Sequence, residues 1–302
     1  MVVKIVGVVT EHAKSLALNI AQVAGFDYIN IFHKRFPDGE LYLRAEDNVA
    51  NSKIVAVIDC SPPRQDVCLI ESLLASEAFY SSGAEEVVLY IPYLPYARQD
   101  KQFLKGEAVS SRAVLKAIYS VGVKKLVSIE VHSELLKEHF PGELLNVHPL
   151  PHMAEVAGVK SSSVVVAPDA GGLKRASSVA SATGAQLVQL SKTRDRITGE
   201  VRIEAHFSLD LSGKEVFIVD DMVSTGSTIA EASRTLLSKG AKRVNILVAH
   251  FLNLPGSIEL LRRAGVSKVI ASNTVAPVQN DLVSYLDISE LVAETLKRCL
   301  FQ

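Results

Sequence analysis

The chain has 302 residues, nearly half of them apolar, enough for a sizeable core and suited to one large or two medium domains. Its formal net charge of −1 argues against a basic nucleic-acid-binding surface. The longest apolar runs fall short of a membrane span, and no charged leader with a cleavage pattern precedes the opening run MVVKIVGVV, so the expectation is a cytoplasmic protein without membrane contact. Cys60, Cys68 and Cys299 are odd in number and lack a C-x-x-C pair, and they read as reduced thiols rather than a disulfide framework or a zinc site.

In chain order, short apolar runs at Val2–Val9, Tyr28–Phe32, Ile54–Ile58, Val87–Ile91 and Leu126–Val131 predict strands. Helical patterns at His12–Val23, Asp66–Ser81, Ser110–Ser120 and Ser133–His139 fall between them. Strands alternating with helices predict α/β layers built on a mainly parallel sheet. The second half repeats the first at an offset of about 160 residues. Val8-Val9-Thr10, Gly25, Lys34, Gly39-Glu40 and Asp59 recur in order as Val165-Val166-Ala167, Gly184, Lys192, Gly199-Glu200 and Asp220. Two similar lobes are expected, residues 1–146 and 147–302, meeting where NVHPLP breaks the pattern, with the helix Ser289–Leu300 able to pack on either.

The most informative stretch is EVFIVDDMVSTGSTI, Glu215–Ile229. Val216–Val219 predicts a buried strand, and from Ile229 the pattern turns helical as far as Gly240. The small, hydroxylated segment Ser224-Thr225-Gly226-Ser227-Thr228 between them suits a phosphate, because backbone N–H groups, hydroxyls and a helix N-terminus converge there. It lacks the Gly-Lys-Ser/Thr ending of a Walker A loop. The carboxylates of Asp220 and Asp221 would repel a phosphate, so they are expected to face sugar hydroxyls or a metal. An ordinary βα turn with solvated carboxylates is the bland alternative. The counterpart in the first half, Asp59-Cys60-Ser61-Pro62-Pro63-Arg64, is a poor phosphate loop, since neither proline has an N–H. The first half in turn carries an insertion: Gly83 to Gly122 spans 39 positions against 25 for Gly240 to Gly265, and it contains the charged segment YARQDKQFLKGEAVSSR.

FPDGE at Phe36–Glu40, YARQD at Tyr96–Asp100, His132, PDAGGLKRA at Pro168–Ala176, DDMVSTGSTI at Asp220–Ile229 and SNTV at Ser272–Val275 together resemble the ribose-phosphate pyrophosphokinase family, from Val6 to Leu296. The resemblance implies two tandem phosphoribosyltransferase-like lobes, each with a mainly parallel sheet. It also implies a transferase that moves the β,γ-pyrophosphoryl group of ATP to the 1-hydroxyl of ribose 5-phosphate, giving phosphoribosyl pyrophosphate (PRPP) and AMP for nucleotide biosynthesis. Mg2+ is the implied cofactor, with His132 and Asp169 as its site residues. ATP is expected near Phe36, Asp38, Glu40, Arg98, Gln99 and Asp100, and the family pattern is a homo-oligomer, at least a dimer, that shares ATP sites between subunits. Ribose 5-phosphate is expected on Asp220, Asp221, Ser224, Thr225, Gly226, Ser227 and Thr228, and Lys192 and Arg194 are expected to carry the chemical step. The chain departs from the family where Ser224 replaces an acidic residue and Ser227 a glycine, and in the segment after Asp100, which lacks the basic-Ser-Arg run of phosphate-regulated members. A PRPP-consuming transferase would share the Asp220 loop but not FPDGE, YARQD or the repeat. A non-catalytic regulatory relative would be expected to disrupt the catalytic or phosphate loop.

Overall fold

Buried apolar strands alternating with amphipathic helices build two six-stranded, all-parallel sheets, one in each of two units. The computed structural model describes residues 2–194, 201–204 and 209–301, without the side chains of 192–194 and 201–204. The first unit comprises Met1–Val147 and Ile288–Gln302, and the second His148–Asp287.

In chain order the first unit contains β1 (Val2–Val8), α1 (Glu11–Ala24), β2 (Asp27–Tyr28), β3 (Ile31–Arg35), β4 (Leu41–Ala45), β5 (Ser52–Ile58), α2 (Gln65–Ser81), β6 (Glu86–Tyr90), α3 (Ser110–Ser120), β7 (Lys125–Ile129), α4 (Leu135–His139) and β8 (Glu143–Val147). The second contains α5 (Leu150–Val156), β9 (Val164–Ala167), α6 (Leu173–Thr183), β10 (Gln186–Gln189), β11 (Ser191–Arg194), β12 (Val201–Glu204), β13 (Glu215–Val223), α7 (Ser227–Ser238), β14 (Arg243–Phe251), α8 (Ser257–Arg263), β15 (Val266–Ser272) and β16 (Val283–Leu286). Helix α9 (Ser289–Phe301) then belongs to the first unit.

The sheet orders are β2-β1-β5-β6-β7-β8 and β10-β9-β13-β14-β15-β16, the same arrangement twice. Each unit also carries a two-stranded antiparallel hairpin, β3–β4 in the first and β11–β12 in the second. The internal repeat in the sequence is therefore a repeat of topology.

Local chemistry explains the elements. Helix α1 starts at Thr10, whose Oγ1 accepts from the Ala13 N–H at 3.0 Å, and ends at Gly25 with φ 71°. Its buried face is Ala13, Leu16, Ala17, Ile20 and Ala21, a helical spacing. Gly7 lets this helix press onto β1: a Cβ there would lie 2.3 Å from the Lys14 backbone. At the other end of the first unit's packing, the carbonyls at the end of α9 are met by lysines. Lys53 Nζ donates to Leu300 O at 2.7 Å and Lys125 Nζ to Cys299 O at 2.6 Å. The Glu86 carboxylate sits 3.1 and 3.0 Å from those two ammonium groups.

Two readings of the sequence need correction here. The run Tyr28–Phe32 is not one strand: β2 pairs with β1 at the sheet edge, and β3 leaves the sheet to form the hairpin. Ile31 is the one buried residue on β3, so little apolar pattern remained to mark the break. Cys60 and Cys68 are not reduced thiols but a disulfide, with Cα atoms 5.3 Å apart. The loop after β5 folds Cys60 back against the first turn of α2, where Cys68 lies, a proximity that spacing along the chain does not reveal. Cys299 remains a free, buried thiol, pushed up to about 11 chiefly by burial.

Candidate active site

Ligands of open α/β sheets gather at the carboxyl ends of the strands. In the second unit that edge carries Asp169 after β9 and the Asp220 segment at the end of β13. Strand β13 runs further than the apolar pattern indicates, to Val223, so the acidic pair lies within it. The long neighbour β14 makes this possible, since pairing continues through Asp220↔Val248, Met222↔His250 and Val223↔Phe251. Asp220 Oδ1 accepts from the Asp221 N–H at 2.9 Å, and the two adjacent carboxylates act on one another. Asp221 is buried, and its Oδ2 lies 3.7 Å from Arg175 Nη2 on α6. Burial, then the neighbouring carboxylates Asp221 and Asp169, push Asp220 well above the usual carboxylate range. Asp169 Oδ1 accepts from the Gly172 N–H at 3.1 Å, which shapes the turn into α6.

The chain then turns sharply. Gly226 adopts φ 82° as the residue before α7, which begins at Ser227, and as a glycine it supplies no side-chain cap of its own. The first N–H groups of a helix have no acceptor within it, so the N-terminus of α7 presents donors where Thr225 and Ser227 add hydroxyls. Those two hydroxyls are 3.3 Å apart. Ser224, Thr225, Gly226, Ser227 and Thr228 are thus brought to one helix start by the structure. The SNTV segment supports the neighbouring strand end. The Ser272 and Thr274 hydroxyls donate to Ala249 O at 2.7 and 2.9 Å, and Thr274 Oγ1 lies 2.8 Å from the buried His250 Nδ1.

In the first unit the equivalent loop is closed. Asp59 Oδ2 accepts from the Thr10 hydroxyl at 3.0 Å, and Oδ1 accepts from the Ser61 N–H at 2.9 Å and its hydroxyl at 2.5 Å. The Arg64 N–H donates to Ser61 O, while Arg64 Nη2 meets the fully buried Glu71 carboxylate at 2.5 Å. Burial, offset in part by Arg64, raises the Glu71 carboxyl above its ordinary value. These side chains turn inward onto one another, and no phosphate cradle remains.

The remaining site residues of the first unit occupy three places. Phe36, Asp38 and Glu40 lie on the exposed β3–β4 turn. That turn is ordered by Gly39 N–H to Phe36 O and Phe36 N–H to Glu40 O, both 2.9 Å, and by Arg35 Nη1 to Gly39 O at 2.7 Å. One Asp38 oxygen accepts from the Glu40 N–H at 3.1 Å. Arg98, Gln99 and Asp100 follow β6, with Arg98 exposed and Gln99 Oε1 accepting from the Ser110 hydroxyl at 2.9 Å. His132 follows β7 and is exposed. Lys192 and Arg194 stand two apart on β11, opposite Ile203 and Val201, and their side chains lie outside what the structure describes. Arg175 was not among the residues expected from sequence; the only hint was its place in PDAGGLKRA, in the first turn after a Gly-Gly bend.

The carboxylate oxygens crowded around Asp220 are hard donors of the type that suits Mg2+. Among the described residues no group of three or more His, Cys, Asp or Glu side chains is placed to hold a metal ion. Among the described residues no helix is long and apolar enough to cross a membrane.

Comparison with known proteins agrees with this architecture. Residues 5–122 match the N-terminal domain of ribose phosphate pyrophosphokinase, and residues 155–283 match the phosphoribosyl transferase domain. A ribose-phosphate pyrophosphokinase from Aeropyrum pernix is 38% identical over 95% of this chain and 93% of its own length. One from Saccharolobus solfataricus is 36% identical over 92% of this chain and 95% of its own. The crystal structure of phosphoribosylpyrophosphate synthetase from Mycobacterium smegmatis superposes with a TM-score of 0.87 at 25% identity, covering 100% of this chain and 99% of that one. With its two matched domains in this order and full-length relatives at these identities, the chain belongs to the ribose-phosphate pyrophosphokinase family.

Proposed function

We propose that the chain forms PRPP by transferring the β,γ-pyrophosphoryl group of ATP to the 1-hydroxyl of ribose 5-phosphate, releasing AMP. The observation that carries this reading is the unequal fate of the two equivalent loops: the one after β13 is open at a helix start, and the one after β5 is filled by its own side chains. One ribose-phosphate site is thereby left per chain, and the first unit is modified for another substrate. The family to which the chain belongs supplies the reaction class.

In this reading the 5-phosphate rests on Ser224–Thr228, held by N–H groups and hydroxyls at the start of α7. Asp220 and Asp221 accept from the ribose hydroxyls and orient the 1-hydroxyl, with Arg175 fixing Asp221. Phe36 offers the purine a ring face, Asp38 and Glu40 accept from its amino group, and Arg98, Gln99 and Asp100 serve the rest of ATP. Arg98 suits a polyphosphate because its planar fork can bind two oxygens at once. Lys192 and Arg194 neutralise charge that spreads over the transferring oxygens, since such transfers depend on positioning and electrostatics. His132 and Asp169 would hold Mg2+, which when bound would neutralise phosphate charge. The shared-site homo-oligomer of the family is part of the same proposal.

The test is product analysis with ATP and a divalent cation, with and without ribose 5-phosphate. AMP that forms only when ribose 5-phosphate is present supports the reading. ADP as product would mean simple γ-phosphoryl transfer and would overturn it.

A further inference from the structure

The β3–β4 hairpin holds more than the contacts assigned above. Strand alternation and the register Phe32↔Arg44 and Lys34↔Tyr42 put Phe32, Lys34, Tyr42 and Arg44 on one face. Arg35 belongs to the opposite face, and its charge acts on Glu71 of α2. The outer face is therefore an alternation of aromatic rings and cations.

Phe36 opens the turn with 40% of its surface exposed. An exposed ring on a turn would ordinarily sample several rotamers, yet this one is braced on two sides. Tyr42 meets it edge-on, with ring centroids 5.8 Å apart and planes at 73°. The Lys34 ammonium lies 5.0 Å from the Phe36 centroid and 5.4 Å from that of Tyr42. Tyr42 is itself held by Phe32 at 6.1 Å and 71°, and the Arg44 guanidinium covers Phe32 at 5.2 Å.

We propose that Tyr42 is a positioning residue for the nucleotide: it sets the orientation of the Phe36 ring on which the purine stacks, with Lys34 as a second brace. This rests on the assignment of the turn to ATP made above. A ring already held in place does not lose rotamer freedom when the nucleotide arrives, so its ordering does not oppose binding. An edge-to-face pair can shift an equilibrium by up to about tenfold. The brace is equally present in the ground and transition states, so its loss acts on the ATP KM and spares kcat. The ring of Tyr42 makes these contacts, and the hydroxyl is dispensable.

Steady-state kinetics on Tyr42→Leu, Tyr42→Phe, Lys34→Met and Phe36→Ala in the full chain test this. Tyr42→Leu should raise the ATP KM about three- to tenfold, the range expected for such a ring pair. The ribose 5-phosphate KM and kcat should stay within about twofold, as expected for uniform binding. Tyr42→Phe should behave as the parent, and Lys34→Met, a conservative surface change, should raise the ATP KM about twofold. If Phe36→Ala raises the ATP KM and Tyr42→Leu does not, the positioning role of Tyr42 is wrong while the nucleotide turn stands. If Phe36→Ala itself leaves the ATP KM unchanged, the assignment of the turn fails, and this proposal with it. A Tyr42→Phe variant as impaired as Tyr42→Leu would shift the effect to the hydroxyl and overturn the ring-positioning account.

Discussion

The loops after β5 and β13 hold the same position in two sheets of the same strand order, and an aspartate leads into each. In the first unit Asp59 commits its carboxylate to Thr10 and Ser61, the prolines contribute no N–H, and Arg64 turns down to Glu71. In the second, Gly226 swings the chain into a helix that its N-cap residue cannot cap with a side chain, and Asp220 is crowded by like charges. A duplicated frame thus keeps its stability where the loop is filled and keeps its ligand chemistry where the loop is left incomplete. The hairpins diverge in the same way. The first unit's turn carries Phe36, Asp38 and Glu40, while Lys192 and Arg194 stand on the second unit's hairpin.

Substitutions can break this comparison, and the largest effect is expected on the second hairpin. Lys192→Ala or Arg194→Ala should lower kcat by roughly 10²–10³, the scale for losing one preorganised donor, with substrate KM moving far less. Steady-state kinetics in which both variants keep kcat within a few-fold of the parent would reduce them to surface cations.

Asp59 and Asp221 should respond oppositely. Asp59→Asn leaves buried hydroxyl and N–H donors imperfectly matched and should cost the first unit about 1–3 kcal/mol. The ribose 5-phosphate KM should not change in that variant, whereas Asp221→Asn should raise it. Chemical denaturation and kinetics on the same samples check both halves, and a raised ribose 5-phosphate KM in Asp59→Asn would mean that the closed loop still binds.

Gly226→Ala comes next. The position has φ 82°, and a Cβ would press on Leu261 Cδ2 at 3.3 Å. The strain of forcing a side chain into the left-handed region, about 1 kcal/mol, falls on the phosphate loop and should raise the ribose 5-phosphate KM by roughly fivefold. Calorimetric titration with ribose 5-phosphate reads this directly, and unaltered affinity would remove the loop from the binding site.

The smallest effect is a pH dependence. The Glu71 carboxyl sits above its ordinary value of 4.5, so the native state binds a proton that the unfolded state releases. Its contribution is fully present below 4.5 and is lost as pH rises through the raised native value. The melting temperature of the parent relative to Glu71→Gln should therefore fall as pH rises through that window. A constant difference would indicate that Arg64 holds the carboxylate ionised throughout.

Much of this was legible in the chain because it depends on local pattern. The strand–helix alternation, the repeat, the poor donors Pro62 and Pro63, and the small residues after Val223 are all properties of neighbouring residues. What was hidden depends on distant partners. The extension of β13 through Asp220 and Asp221 requires β14 to offer pairing as far as Phe251. The pairing of Arg175 with Asp221, and of Cys60 with Cys68, follows from how a helix lies against a strand or a loop. The break between β2 and β3 was invisible because both sides of it are short and mostly exposed.

Helix α9 has a consequence for biosynthesis. Its residues Val292, Ala293, Leu296, Cys299 and Leu300 are buried, and it belongs with β1 and α1 although the whole second unit separates them in sequence. During translation the second unit, continuous from His148 to Asp287, is delivered complete before the first receives this closing piece. The first unit must therefore wait, with the α9-facing side of α1 uncovered, while the second is free to fold as it emerges. The order in which the ribosome supplies the chain is thus the reverse of the order in which the two units can finish folding.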